Sequence, residues 1–231
     1  MVDRFKKVLL QTATRPDKPL LADALSVCAA THGLSYLAGR DGVGDVDGFT
    51  LAGKIANKVW KLEQGCASRD YIHGQQLTSR AELKLNVDVS VIILNRPLKD
   101  TLERHVYEVF TDSLQTTADP SLAEEMRWPA LYPEFTWVSL APEFWMRYAV
   151  LAEKREEALA WIDPHLSGLL MDWPEPGPDD HVPFILMIMR GKAYLRMQYT
   201  PADLPTLEHA TKIFAYACQS GVANLTADIL V

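Results

Sequence analysis

The sequence predicts an α+β fold in which an antiparallel β-meander and a β-hairpin pack with helices. Three observations predict it. β-rich segments at 48–64 and 77–95 are interrupted only by short links, as antiparallel neighbours are. Phe184–Met189 and Lys192–Tyr199 flank Arg190-Gly191, a two-residue turn in which glycine accepts a positive φ. Elsewhere apolar residues recur at helical spacing in separate segments, so helices are segregated from strands and not wound between parallel ones.

Taken in order, two helices open the chain. Phe5, Val8 and Leu9 share a face in the first; Leu20, Leu21, Ala24, Leu25, Cys28 and Ala29 make the stripe of the second. Asp17 stands ahead of that second helix as a cap, and Gly33 closes it. Strands follow at 48–55 and 58–64, turning at Ala56-Asn57, and after a polar loop at 65–76 come Leu77–Leu85 and Val89–Asn95, joined through 86–88. These four read as consecutive partners. A helix begins at Pro97 with Leu98, Leu102, Val106, Val109 and Phe110 inward.

Pro120, Pro129, Pro133 and Pro142 predict an irregular arm at 113–142, relieved by a short helix near Ser121–Arg127. Trp145–Ala152 reads as a strand, Lys154–Trp161 as a helix, and Pro164–Trp173 as another helix capped by Asp163. The hairpin leads into a last helix over 203–218, with Gly221 beyond its end. The whole is compatible with one α+β unit over 1–231, or with two packed halves, 1–112 and 143–231, joined by the arm. Strand–strand–helix recurs near 77–110 and 184–218, as an internal duplication would leave it.

Composition sets the compartment and removes some partners. Lys and Arg number 23 against 30 Asp and Glu, a formal charge of −7, and the basic residues are scattered; no nucleic acid is expected as a partner. Cys28, Cys66 and Cys218 are odd in number and form no CxxC pair, which predicts free thiols in a reducing cytoplasm. The longest apolar run, Phe184–Met189, is six residues, so no membrane span is expected, and the charged start at Asp3, Arg4, Lys6 and Lys7 is not a signal peptide.

Phe144-x-x-Arg147-Tyr-Ala-Val-Leu-Ala, Asp163-Pro-His-Leu-Ser-Gly-Leu-Leu and the Met-Arg-Gly-Lys hairpin resemble a pattern in a family of uncharacterised bacterial cytoplasmic proteins with no assigned function. So does the hairpin at 48–65 with its following loop. The resemblance spans most of residues 45–220 and implies an α+β fold and a bacterial, cytoplasmic origin. It rests on hydrophobic patterns, and no functional residue follows from it.

No GxxxxGK[ST], GxSxG, HExxH or GxGxxG string occurs, which argues against a P-loop NTPase, an ordinary α/β-hydrolase, a zincin and a dinucleotide fold; no cofactor and no metal are expected. Asp41, Asp45, Asp47 and Gly48 lack two ligands of a calcium loop. Two functional readings remain. In the first, a non-enzymatic protein-interaction module uses the aromatic arm. Trp128, Tyr132, Trp137 and Trp145 are its binding candidates, because five of six tryptophans fall within 128–173 and clustered exposed rings are typical contact points for a protein partner or a homodimer. In the second, a small-molecule-binding protein or enzyme has its pocket near 66–74, where Cys66, Asp70 and His73 carry metal-binding or acid–base chemistry, and Asp70, Tyr71 and His73 are the catalytic candidates. Asp179-Asp180-His181 is a lesser cluster, and His105 and His209 read as packing or surface residues.

Overall fold

Asn57, Arg190 and Gly191 take positive φ angles of 61°, 54° and 74°, and at each of these turns the chain doubles back into an antiparallel partner. The computed structural model describes residues 18–39, 48–55, 57–111, 124–175, 177–201 and 203–226. In chain order its elements are α1 (Lys18–Thr31), β1 (Ser35–Ala38), β2 (Phe49–Ile55), β3 (Lys58–Cys66), β4 (Gln75–Glu82), β5 (Ser90–Asn95), α2 (Arg96–Thr111), α3 (Glu124–Leu131), α4 (Pro142–Arg147), β6 (Tyr148–Ala152), α5 (Arg155–Trp161), α6 (Pro164–Met171), β7 (Phe184–Met189), β8 (Lys192–Tyr199) and α7 (Leu204–Asn224). The eight strands make one antiparallel sheet in the order β1-β2-β3-β4-β8-β7-β5-β6, so the fold is α+β as predicted.

The meander is real but lies one strand earlier than expected, running β1 to β4. β4 and β5 are not partners: the β7–β8 hairpin sits between them, β4 pairing with β8 and β5 with β7. The connection at 83–89 crosses the hairpin's turn, where Leu85 donates its amide to the Gly191 carbonyl at 3.3 Å. A Cβ on Gly191 would lie 3.0 Å from the Leu85 carbonyl oxygen, so glycine serves both the turn and the crossing. The two strand–strand–helix segments therefore pair differently.

One face of the sheet is covered throughout. Leu51, Leu62, Leu77, Leu186, Ile93, Leu195 and Val150 point into it and meet α1, α5, α6 and α7. Trp161 locks α5 to α7 by donating its indole N–H to the Ala217 carbonyl (2.8 Å) while its own carbonyl accepts the Ser220 hydroxyl (2.9 Å). α7 runs through Gly221, where a Cβ would lie 2.8 Å from Ile188 Cδ1; the glycine is a packing residue, not a stop. The α6 cap is as expected, Asp163 accepting the Leu166 amide at 2.7 Å.

From residue 124 onward the arm is more ordered than its prolines suggest. Pro129 lies inside α3 and deletes one helical hydrogen bond, but Glu125 and Trp128 are buried on that helix, and tertiary burial outweighs the loss. Trp145 belongs to α4, started by Pro142 at its first position, and the strand begins only at Tyr148. The first predicted helix, the Asp17 cap, the calcium-like Asp41, Asp45 and Asp47, and the Ser121 cap lie outside the described residues, as do the side chains of His105, Val106, Val109 and Phe110. Among the described residues no helix is long and apolar enough to cross a membrane.

Candidate functional site

The opposite, outer face changes character across a single strand pair. Register places Lys61, Arg80, Tyr194 and Met187 in one row across β3, β4, β8 and β7, and Glu63, Thr78, Arg196 and Ile185 in the next. Beyond β7 the outward residues are Ile92, Leu94, Ala149 and Leu151, covered by Leu98 and Leu102 of α2 and Trp128 of α3. Before β7 they are mostly polar, and α3 reaches them at Arg196, through Glu125. A groove of about 540 Å³ lies at the junction, with Trp128, Ile185 and Met187 on its apolar side and Lys61, Thr78, Arg80, Tyr194 and Arg196 on its polar side. That is a volume suited to a small ligand.

A buried ion network fixes the groove wall. Glu125, whose side chain is 4% exposed, accepts from Arg69 Nε and from Arg196 Nη1, each at 2.5 Å. The Tyr71 hydroxyl lies 3.5 Å from the same Arg196 nitrogen. Burial pushes the Glu125 carboxyl up, but the hydrogen bonds and the Arg69 and Arg196 charges outweigh it and hold the group below its ordinary value. Burial likewise raises the Tyr71 phenol, against the opposing pull of Arg196. Of the charged residues lining the groove three are cations (Lys61, Arg80, Arg196) and two are carboxylates (Glu63, Glu82), an excess of one positive charge in a chain of net charge −7. Three residues lining the groove each hold a buried polar atom with no partner among the described residues: Ser79 Oγ, Trp128 Nε1 and Arg196 Nε. Buried N–H groups normally find partners.

The loop at 66–74 contributes to this site, though not through the set the sequence suggested. Ser68 lines the groove, with its amide and hydroxyl both directed at Gln76 Oε1, and Tyr71 joins the ion network. Asp70 and His73 are exposed, and neither side chain bonds to Tyr71 or to any other described residue; His73 is held by its amide, which donates to Gln198 Oε1 at 2.8 Å. Cys66 is exposed and free. Asp179 accepts the amides of His181 and Val182, and Asp180 pairs with Arg147, which makes that cluster a turn. His209 packs on Trp173 with its Nε2 at 2.7 Å from the Leu169 carbonyl oxygen, as a packing residue would.

Of the aromatic candidates, Trp128 and Trp137 are core residues at 2% and 7% exposure, while Tyr132 and Trp145 are half-buried. Trp145 packs edge-on against both Trp137 and Phe144. The large apolar side chains exposed in this stretch are Leu131, Val138 and Met146, and Val138 lines a shallow cleft with Trp137, Leu140, Pro142, Trp145 and Leu159. The sequence does not mark Arg196 or Glu125 as site residues. The available signal was the mismatch within one hairpin, whose β7 strand is apolar on both faces while β8 alternates Lys, Tyr, Arg and Gln with apolar residues.

Fold and groove together define an α+β protein in which the described residues leave much of one half of one sheet face open. No protein-family model matches the chain, and no curated protein matches it. Among solved structures it is similar to the mycobacterial trehalose monomycolate transport factor A, TtfA, with 13% identity and a TM-score of 0.44 over 87% of this chain and 95% of that one.

Proposed function

We propose that the protein binds a small organic anion with an apolar body in the groove at the β7–β8 boundary. The observation that carries this is the lining of the groove, apolar at Trp128, Ile185 and Met187 and cationic at Lys61, Arg80 and Arg196. An anionic group would pair with Lys61 and Arg80 while the apolar part of the ligand covers Ile185 and Met187. Three free cysteines, two of them buried, support a reducing cytoplasmic setting for this role.

The probe is 1-anilinonaphthalene-8-sulfonate, an aromatic sulfonate. Its fluorescence titration against the full chain should show one site that the double charge reversal Lys61→Glu/Arg80→Glu weakens about tenfold. The double variant Val138→Glu/Met146→Glu, which adds negative charge on the arm instead, should leave that site unchanged. The reverse pattern would reject the groove.

That reverse pattern would favour the second reading, a protein-interaction module. Its support is the fully exposed Val138 and the exposed Met146 beside the half-buried Trp145. In this reading the contact surface is the aliphatic rim of the arm, with Trp128 and Trp137 as its supports.

A further inference from the structure

On the helix-covered side of the sheet, away from the groove, α1 and α7 bring three unlike side chains together. Cys28 lies in the last turn of α1, and His32 follows directly after the helix ends, its amide donating to the Cys28 carbonyl at 3.2 Å. Glu208 reaches them from α7, which lies against α1. A sulfur, a ring nitrogen and a carboxylate oxygen, one from each, all lie within 4.8 Å of one another. Cys28 is buried, and His32 and Glu208 are half-buried.

The backbone holds these positions firmly. His32 is pinned at the end of α1 by a two-bond C-terminal cap, in which Gly33 (φ 66°) donates to the Ala30 carbonyl at 3.1 Å and Leu34 donates to the Ala29 carbonyl at 2.8 Å. Glu208 sits in the second turn of α7, just beyond Leu207 and just before Ala210, both fully buried, and the helix start is fixed by the Asp203 cap on the Thr206 amide.

We propose that Cys28, His32 and Glu208 bind a divalent transition-metal ion of the zinc class. One thiolate, one imidazole and one carboxylate suit a borderline-soft cation and not calcium or magnesium, which take oxygen ligands alone. A tetrahedral ion with normal bond lengths would place the donor atoms roughly 3.3–3.6 Å apart, a short contraction from the present separation. The two anionic ligands balance the dication, so the occupied cluster carries no net charge into its buried surroundings. Three protein ligands leave a fourth position for water.

Cobalt(II) is the probe, added to full-length chain stripped with chelator. The expected result is one equivalent bound, with tetrahedral visible bands and a sulfur-to-cobalt charge-transfer band in the near ultraviolet. Cys28→Ser should abolish the charge-transfer band, and His32→Gln and Glu208→Gln should each cost at least about tenfold in affinity. Cys66→Ser, at the exposed thiol, should change nothing. Absence of the band in the unaltered chain overturns the proposal, as does its loss in Cys66→Ser or its survival in Cys28→Ser. If Cys28→Ser does not fold, as read by circular dichroism, His32→Gln decides alone, because unchanged affinity there is equally fatal.

Discussion

On β7 the outward side chains are Ile185, Met187 and Met189; on β8, one strand away, they are Lys192, Tyr194, Arg196 and Gln198. Both strands present the same apolar inner face, with Leu186 and Ile188 beside Leu195 and Ala193. The difference is therefore not one of backbone or register. It lies in which residues occupy alternate positions, and it dictates the architecture above them. The apolar half cannot stay in water at about 25 cal/mol per Å² and takes α2 and α3 as its cover. The polar half needs no cover. The boundary offers apolar contact and charge within one strand spacing, a combination neither half provides alone.

The largest expected effects lie in the covered half. Trp128→Ala removes a core ring on α3, and Trp137→Ala one in the arm; each should cost about 3–5 kcal/mol in denaturant unfolding. A loss below about 1 kcal/mol at Trp128 would mean that α3 is not a true cover, and the two halves would no longer differ.

A smaller effect belongs to the boundary itself. Glu125 is buried between Arg69 and Arg196, whose side chains are 36% and 25% exposed, so the full cost of breaking a buried pair must be discounted for solvent. Glu125→Gln should destabilise by about 1–2 kcal/mol near neutral pH. The folded-state pKa is lowered, so this stabilisation is complete above the unfolded carboxyl value of about 4.3 and is lost as pH falls through the folded one. The gap between the native chain and Glu125→Gln should accordingly narrow in acid. A gap independent of pH would show that the carboxylate is not what the network stabilises.

How legible all this was depends on range. Local chemistry named the Asp163 cap, the Gly33 stop and the Arg190-Gly191 turn, because each is settled within four or five residues. The partnership of β4 was not local. Seven residues at 83–89 suit a hairpin link, yet they also suffice to cross the three strand spacings from β4 to β5, roughly 14 Å. Chain length could not choose between these, and Leu83 and Leu85, both buried, follow the longer route. The site was missed for the same reason. Arg69, Glu125 and Arg196 are 56 and 71 residues apart along the chain and meet only once the hairpin has inserted. Cys28 was read as a packing thiol because Glu208, its neighbour in space, comes from the far end of the chain.

The smallest effect is expected deepest in the open half. Arg80 pairs with Glu82 on the same strand and lies over the Tyr194 ring at 5.9 Å, with its side chain 57% exposed. Exposed pairs of this kind contribute little, because water solvates both partners as well as they solvate each other. Arg80→Ala should therefore leave unfolding within about 0.5 kcal/mol of the unaltered chain. In the sulfonate titration the same variant should bind measurably more weakly, since one cation of the groove is gone. Stability kept and affinity lost is the signature of a surface retained for a ligand. A stability cost comparable to that of Trp128→Ala would instead make the polar rows part of the structure's own support, and the open half would be open in appearance only.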